Sequence, residues 1–230
     1  MDAKIIAWLC GGMLALAGCA EEATLKKGCW ELSLDQKSGG IDIRKDSLCV
    51  FDDLYAAYKL SDSTITTLDY EDCAVSVEEI TDVFGKGFRY EVSYTDEMLT
   101  ALVQSFYVYP DKDYILTDFT LSSDEEVASN YMAPVNVDQM PQVLVDGKDN
   151  RALFIPFDND CWIRYRSCPL TFDELTSYEV TAVYNNDNRH ALVVGSVEHD
   201  NWKTAVVMGR GNAHNVGSLK CYGGVADKTT

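Results

Sequence analysis

Short runs of alternating apolar and polar residues, separated by turn-forming residues, are the feature that most constrains how this chain folds. Successive side chains of a strand point to opposite faces, so such alternation is typical of half-buried strands. Turns are indicated by Pro110–Asp113, Asp146-Gly147 and Asn185–Asn188. The runs are Phe88–Tyr94, Leu102–Tyr109, Tyr114–Leu121, Gln142–Val145, Leu153–Phe157, Trp162–Tyr165, Tyr178–Tyr184, Leu192–Val197 and Ala205–Met208. Their number and spacing predict an all-β sandwich or barrel.

Helical signal is thin, and only Ser47–Ser61 and Asp173–Ser177 are predicted as short helices. The Asp146-Gly147 pair predicts a hairpin that joins residues 142–145 to residues 153–157, because its glycine supplies the positive φ that tight turns require. We find no internal repeat, low-complexity tract or linker after residue 27. The sequence therefore predicts one folded domain.

The N-terminus has the pattern of a signal peptide. Lys4 precedes the apolar run Ile5–Ala17, which is shorter than the roughly 20 residues that span a bilayer. Leu16-Ala17-Gly18-Cys19 resembles a bacterial lipobox, which implies cleavage after residue 18 and a lipid on Cys19. The following Glu21 and Glu22 resemble the surface-export signal of Bacteroidetes-type lipoproteins, so we expect an outer-membrane anchor. The alternative is an ordinary secretory signal with Cys19 in a disulfide.

These boundaries divide the chain into a signal peptide (1–18), a lipidated tether (19–27) and a sandwich domain (28–230). About 210 residues remain after cleavage, too few to add a catalytic barrel of about 250 residues. The net charge of −18 argues against a nucleic-acid partner, which requires a basic face. We predict no cofactor and no metal.

Six cysteines follow Cys19, and in an oxidising compartment they permit many pairings that the sequence does not distinguish. A local bridge between Cys161 and Cys168 and free buried thiols are both compatible with the spacing. The chain has no C-x-x-C pair, so a structural zinc site is not expected.

The segment Arg151–Arg166 (RALFIPFDNDCWIRYR) carries the main candidate site. Pro156 limits strand pairing, so the polar residues that follow are expected to leave the sheet as a loop. Carboxylates and amides bind sugar hydroxyls, and an aromatic ring packs on the apolar face of a pyranose. The predicted sugar-binding residues are therefore Asp158, Asn159, Asp160, Trp162 and Arg164.

Three other interpretations of this loop remain open. The Asp-Asn-Asp run is also typical of a turn whose side chains satisfy nearby backbone N–H groups. Its oxygens suit calcium, although the spacing does not match an EF-hand. Trp162 is equally compatible with a core position beside a surface arginine.

A second polar loop lies in Ala191–Val207 (ALVVGSVEHDNWKTAVV), where Glu198, His199, Asp200 and Trp202 follow a predicted strand. Two carboxylates can act as acid and base in glycoside hydrolysis. Glu198 and Asp200 are only two residues apart in one loop, which seldom fixes the separation of the carboxyl groups that catalysis requires. Hydrogen bonding within the turn is therefore the stronger interpretation. We find no nucleophile elbow, phosphate-binding loop or zinc-protease motif.

Three segments together resemble the N-terminal β-sandwich of α-galactosidase and raffinose-synthase-type glycoside hydrolases: Tyr114–Pro134, Leu153–Tyr165 and Val193–Thr204. The resemblance implies a two-sheet antiparallel supersandwich with the galactose mutarotase-like architecture. It also implies that Asp158, Asn159, Asp160 and Trp162 occupy a pocket-facing loop. The catalytic aspartates of that family lie on a barrel that this sequence lacks, so no catalytic residue is assigned.

Three functions are compatible with this resemblance. In the first, the chain is the non-catalytic sandwich domain of an α-galactosidase-like hydrolase, encoded alone or cut short, and a catalytic barrel domain is one candidate partner. In the second, it is a free-standing surface lipoprotein that binds a galactoside-like glycan. In the third, it is a mutarotase-type enzyme, which needs a general acid and base placed over a sugar.

Overall fold

The computed structural model describes residues 24–60, 63–144, 148–158, 162–198, 202–211 and 215–225. Within these ranges the single helical element is a 3-10 turn, Thr67–Asp69, and every strand pairing is antiparallel. The predicted all-β antiparallel fold is confirmed. The strands are β1 (Thr24–Lys27), β2 (Trp30–Leu34), β3 (Ile41–Lys45), β4 (Leu48–Leu60), β5 (Ser63–Thr66), β6 (Asp72–Asp82), β7 (Gly85–Thr95), β8 (Ala101–Val108), β9 (Ile115–Ser122), β10 (Met132–Val137), β11 (Asn150–Phe154), β12 (Arg166–Pro169), β13 (Glu174–Tyr178), β14 (Val180–Asn185), β15 (Ala191–Gly195), β16 (Lys203–Arg210) and β17 (Val216–Val225).

The strands form one large sheet and two small ones. The large sheet has nine strands in the order β1-β2-β3-β4-β10-β17-β16-β13, with β5 also paired to β4. One small sheet is the sequential meander β6-β7-β8-β9, and the other has the order β12-β11-β14-β15. The sandwich predicted as two sheets is therefore built from three hydrogen-bonded sheets.

One cluster of buried hydrophobic side chains contains residues from all three sheets. Leu32 and Ile41 of the large sheet, Tyr90 and Phe106 of the meander, and Val183 of the second small sheet all belong to it. Polar bridges join the large sheet to the meander as well. The Gln104 amide donates to the Pro134 carbonyl at 2.9 Å, and the Tyr94 hydroxyl donates to the Gly39 carbonyl at 3.0 Å. The core therefore holds the three sheets as one packed domain.

The helix predicted over Ser47–Ser61 is wrong, because the structure has strand β4 there. Val50 and Leu54 are both buried and four residues apart, a spacing that fits one face of a helix and equally one face of a strand. Strand β4 also contains one extra residue relative to β3 between the pairs Ile43–Phe51 and Ile41–Leu54. Asp53 has φ of 53° at this point.

The helix predicted over Asp173–Ser177 is also wrong, because Glu174–Tyr178 is strand β13 and pairs with β16. The Ser177 hydroxyl accepts from the Ile155 N–H at 2.8 Å and donates to the Val180 carbonyl at 3.0 Å. These contacts between segments, rather than local preference, determine the backbone conformation here.

Two predicted strands are also wrong. Residues 142–144 form no strand, although Val143 and Leu144 are buried, and β11 pairs with β12 and β14 instead. The predicted hairpin through Asp146-Gly147 is therefore wrong in its pairing, and the turn itself lies outside the described residues. Residues 162–165 are a loop, because β12 pairs with β11 only from Arg166 opposite Phe154, where β11 ends.

The predicted signal peptide, Cys19 and the first part of the tether lie outside the described residues. Residues 24–27, at the end of that predicted tether, form strand β1 and pair with β2. Across the described ranges, no helix is long and apolar enough to cross a membrane. The cysteines in these ranges (Cys29, Cys49, Cys73, Cys168 and Cys221) carry free thiols, and Cys161 lies outside them.

Candidate functional site

The two polar loops predicted from the sequence lie next to each other in the structure. Lys203, which follows the second loop, donates a hydrogen bond from its ammonium to the Phe157 carbonyl in the first loop. The same ammonium lies 3.9 Å from a carboxylate oxygen of Asp158. The sheet order makes this possible because β13, on the edge of the large sheet, adjoins the end of β11. Segments some 40 residues apart thereby form one surface.

Lys203 and two aromatic rings form the base of this surface. The Lys203 ammonium lies 3.7 Å from the centroid of the Phe157 ring, and that ring packs edge-on against Tyr178 with centroids 5.2 Å apart. The contact between cation and ring contributes about 0.5–1 kcal/mol at an exposed position. These contacts fix the backbone at Phe157, directly before the polar run that begins with Asp158.

Several large apolar side chains of the two loops are exposed to solvent. Trp162 is 88% exposed, Tyr165 66% and Ile163 55%, all within the loop that precedes β12. Trp202, at the end of the second loop, is 47% exposed, and its ring lies beside Gly224. A core position for Trp162, one of the two structural interpretations of this residue, is therefore excluded. Exposed aromatic residues grouped in one loop are characteristic of binding surfaces rather than of a core.

The described members of the predicted site are all at the surface. The Asp158 side chain is 79% exposed and Arg164 is exposed. Asn159 and Asp160 lie outside the described residues, as do His199 and Asp200 of the second loop. Asp158, Trp162 and Arg164 are thus all exposed, in the described parts of the segment between β11 and β12.

A polar cluster near this surface was not anticipated from the sequence. Glu179 has φ of 66°, an uncommon conformation for a residue with a side chain. Its carboxylate accepts hydrogen bonds from the Ser196 hydroxyl at 3.2 Å and the Thr204 hydroxyl at 3.0 Å. This cluster could have been predicted only from the proximity of β14 and β16, which no local sequence pattern indicates.

The outer face of the large sheet, which is the face that points away from the core, carries aromatic residues that the sequence analysis did not single out. Tyr131 stacks on Tyr222 with ring centroids 4.9 Å apart, and Lys59 lies 4.9 Å from the Tyr131 ring centroid. The abundance of tyrosine was a general signal, but only the strand register shows which of them share a face.

Two shallow grooves also occur in the described part of the chain. One, of about 420 Å³, lies beside β12 and is lined by Arg166, Ser167, Cys168 and Glu174 among others. The other, of about 440 Å³, lies at the edge of β6 and β7, far along the chain from the predicted loop. Within the described ranges, no three His, Cys, Asp or Glu side chains are grouped closely enough to hold a metal ion.

The sequence matches no protein-family model and no curated protein. Two solved structures of the α-N-acetylgalactosaminidase NagBb from Bifidobacterium bifidum are similar in fold: its complex with GalNAc (TM-score 0.56, 11% identity) and a quadruple mutant (TM-score 0.54, 12% identity). The similarity covers 87% of this chain in each case, and 32% and 33% of the respective enzyme chains. This chain therefore spans about a third of the length of the enzyme, and it shares the fold of a sandwich region found in a glycosidase.

Proposed function

We propose that the chain is a carbohydrate-binding β-sandwich domain that contributes no catalytic residue of its own. The observation that carries this proposal is the exposure of Trp162, Tyr165, Asp158 and Arg164 between β11 and β12, where Lys203 contacts Asp158. A sugar presents an apolar ring face and a rim of hydroxyls, and this loop offers both aromatic rings and charged hydrogen-bonding groups. The fold shared with part of a glycosidase supports the same class of ligand.

The proposed roles follow from chemistry. The Trp162 ring stacks on the apolar face of a pyranose, and its exposure leaves room for that contact. The Asp158 carboxylate accepts hydrogen bonds from sugar hydroxyls, while the Arg164 guanidinium donates to them. Asn159 and Asp160 are proposed to extend this polar rim. Because the Trp162 ring is solvated in the free protein, its burial by a sugar supplies most of the apolar contribution to the free energy of binding.

The test is a calorimetric titration of the purified chain with galactosides, N-acetylgalactosaminides and glucosides, with sugar release measured in the same samples. We expect saturable binding without release, lost in Trp162→Ala and weakened in Asp158→Ala. Phe84→Ala removes another partly exposed aromatic residue, at the β6–β7 turn, and serves as the matched control with unchanged affinity. Binding that survives Trp162→Ala would refute the assignment of this loop, and sugar release by the wild type would refute the non-catalytic role.

A second candidate function is that of a sandwich domain that packs on a catalytic barrel. The observation in its favour is the edge strand β15, whose Val193 is 65% exposed, together with Val197, which is 66% exposed. Exposed aliphatic residues on a sheet edge suit a protein interface better than a sugar site. Glycan binding by this chain without a partner would favour the first function.

We also propose that a lipid on Cys19 holds the domain at the outer membrane. The lipobox-like sequence supports this, and the first strand in the described residues begins at Thr24, close behind the proposed anchor. Intact-mass measurement of the membrane fraction tests it: a diacylglyceryl adduct is expected on the wild type and absent from Cys19→Ala. An unlipidated wild type cleaved at another position would overturn the anchor.

A further inference from the structure

A row of aromatic rings crosses the outer face of the large sheet. In the strand register Tyr178 of β13 pairs with Ala205 of β16, and Ala205 pairs with Tyr222 of β17. These three residues share one line across the strands and one face of the sheet. Val206, which follows Ala205 in β16, belongs to the hydrophobic core, as does Met208. Successive side chains of a strand point to opposite faces, so Ala205 and the residues paired with it face away from the core.

The line continues across the middle of the sheet. The Tyr222 ring stacks on Tyr131, which directly precedes β10, with an interplanar angle of 30°. The Lys59 N–H donates to the Tyr131 carbonyl at 3.1 Å, and the Lys59 ammonium lies over the Tyr131 ring. From β4 to β13 the line takes four sheet steps, or roughly 19 Å at the usual spacing between strands. We call Tyr131, Tyr222, Tyr178 and Phe157 the aromatic row, with Lys59 and Lys203 at its two ends.

Small residues form the floor of the aromatic row. Ala57, Ala133 and Ala205 are buried, yet they lie outside the hydrophobic core cluster. Ala57 pairs directly with Ala133. An antiparallel sheet that covers a core on one face ordinarily presents polar residues on the other. Here the alanines let half-exposed rings lie over the backbone, so the outer face carries an aromatic layer that the core does not require.

The aromatic row leads into the proposed sugar-binding loop. Phe157 is its last ring and directly precedes Asp158. Lys203 contacts both, through the face of the Phe157 ring and through the Asp158 carboxylate. A ligand that occupies the loop can therefore extend onto the row without crossing an unrelated surface.

The chemistry of the row distinguishes a sugar chain from a protein partner. Its rings are mostly tyrosine, and its ends are lysines, whereas the centre of a stable protein interface is depleted of lysine. Burial, and then the neighbouring phenols, raise the pKa of Tyr131 and of Tyr222, so both hydroxyls remain protonated donors at neutral pH. Flat apolar rings beside hydroxyl and ammonium donors complement a ligand with alternating C–H faces and hydroxyls.

We propose that the aromatic row is an extended platform on which a linear glycan of several sugar units lies, continuing from Asp158 of the proposed sugar-binding loop. This inference rests on the proposed function, because the loop binds one end of the same chain. It adds the substrate class: an oligosaccharide or polysaccharide rather than a single sugar.

The test is the dependence of affinity on ligand length, measured by calorimetry on the full chain with neutral galacto- and gluco-oligosaccharides from monosaccharide to hexasaccharide. The variants are Tyr222→Leu and Tyr131→Leu, which keep an apolar side chain on this face of the sheet but remove the stacked ring. Tyr107→Leu, a half-buried tyrosine on β8 of the meander, is the matched control. Circular dichroism and thermal melting confirm that each variant is folded.

We expect the hexasaccharide to bind at least about tenfold more tightly than the disaccharide. Tyr222→Leu and Tyr131→Leu remove this gain and leave monosaccharide affinity unchanged, whereas Trp162→Ala weakens all lengths. Affinity that does not depend on length, or a gain that persists in both tyrosine variants, overturns the platform while the loop assignment stands. A length gain that needs the tyrosines but not Trp162 overturns the loop assignment and supports the platform. Absence of binding at every length overturns both.

Discussion

The two small sheets are held to the same large sheet in different ways. The meander β6–β9 inserts large apolar side chains, and Tyr90, Tyr94, Leu102 and Phe106 are each at most 1% exposed. In the described residues of the sheet of β11, β12, β14 and β15, only Ala152 and Val183 are buried core members, and Leu192 and Val194 pack against the core half-buried. Its buried side chains also include the polar residues Asn150, Thr181 and Asn185, whereas Val193 points outward. The first sheet stabilises the fold, and the second leaves aromatic groups accessible to a ligand.

The polar anchoring of the second sheet centres on a pair of buried amides. The Asn185 amide group donates to the Asn150 side-chain oxygen, and the Asn185 side-chain oxygen accepts from the backbone N–H groups of Asp187 and Asn188 at 2.8 and 2.9 Å. The Thr181 hydroxyl donates to the Leu153 carbonyl at 2.6 Å. These bonds fix the turn after β14 and the pairing of β14 with β11, which carries the loop of Asp158.

The largest effect is expected from Phe106→Ala in the meander. Phe106 is fully buried and packs against Tyr90, so its truncation leaves a cavity and should lower the free energy of unfolding by about 3–5 kcal/mol. Urea unfolding followed by circular dichroism measures this. A loss below about 1 kcal/mol, within the range of surface substitutions, would break the proposed difference between the two sheets.

A smaller effect is expected from Asn185→Ala in the second sheet. The substitution removes three hydrogen bonds and leaves buried polar partners unsatisfied, which should cost about 2 kcal/mol. Hydrogen exchange should then show faster exchange at β14 and β15 than in the meander. Uniform destabilisation of all three sheets would mean that they unfold as one unit and that the anchoring is not local.

The free energy of unfolding should fall at alkaline pH because of a thiol in the large sheet. Burial raises the pKa of the Cys221 thiol to about 12, from an ordinary value of 9.0. Between pH 9 and 12 the native state therefore retains a proton that the unfolded chain releases, so stability falls as pH rises, by at most about 1.4 kcal/mol per pH unit. Below pH 9 both states are protonated and the thiol contributes no slope.

Equilibrium unfolding at pH 8 and at pH 11 measures this dependence, with Cys221→Ala as the comparison. The variant should lose less stability than the wild type between the two values. A residual slope is expected from Tyr55, whose pKa burial and its hydrogen bond to Asp138 raise to about 12. Equal slopes in wild type and variant would contradict the buried thiol.

The smallest effect on stability is expected from Trp162→Ala. The side chain is 88% exposed, so the free energy of unfolding should change by less than about 0.5 kcal/mol. Thermal melting and calorimetric titration of the same sample give both quantities. Loss of binding with unchanged stability would sharpen the contrast with Phe106→Ala, whereas a large loss of stability would assign Trp162 a structural role.

The sequence predicted the fold class because alternation is a local signal. The runs Phe88–Tyr94, Leu102–Tyr109 and Tyr114–Leu121 coincide with β7, β8 and β9, which pair in order and need no distant partner. Where pairing is between distant segments the prediction failed. Strand β4 joins β3, β5 and β10, and its buried residues Val50 and Leu54 are four residues apart, a spacing that fits a helix and a strand alike.

Local signals also predicted part of the candidate site. The break predicted at Pro156 is confirmed, because β11 ends at Phe154 and residues 155–158 form no strand. The strand predicted over 162–165 needed a partner beyond Phe154, and none follows because β11 ends there. The contacts of Lys203 with Phe157 and Asp158, and the aromatic row on the outer face, depend on the register of β13, β16 and β17, which no local pattern encodes.

The measurement that tests the account most directly is the movement of the tryptophan indole signals in ¹⁵N–¹H NMR spectra as an oligosaccharide is added to the full chain. Trp30 is an internal reference, because it is buried and its indole N–H donates to the Lys112 carbonyl at 2.9 Å. The account predicts that the Trp162 signal shifts in a saturable way while the Trp30 signal stays in place. A Trp162 signal that does not move while the ligand binds would contradict the claim that this loop is the sugar-binding site.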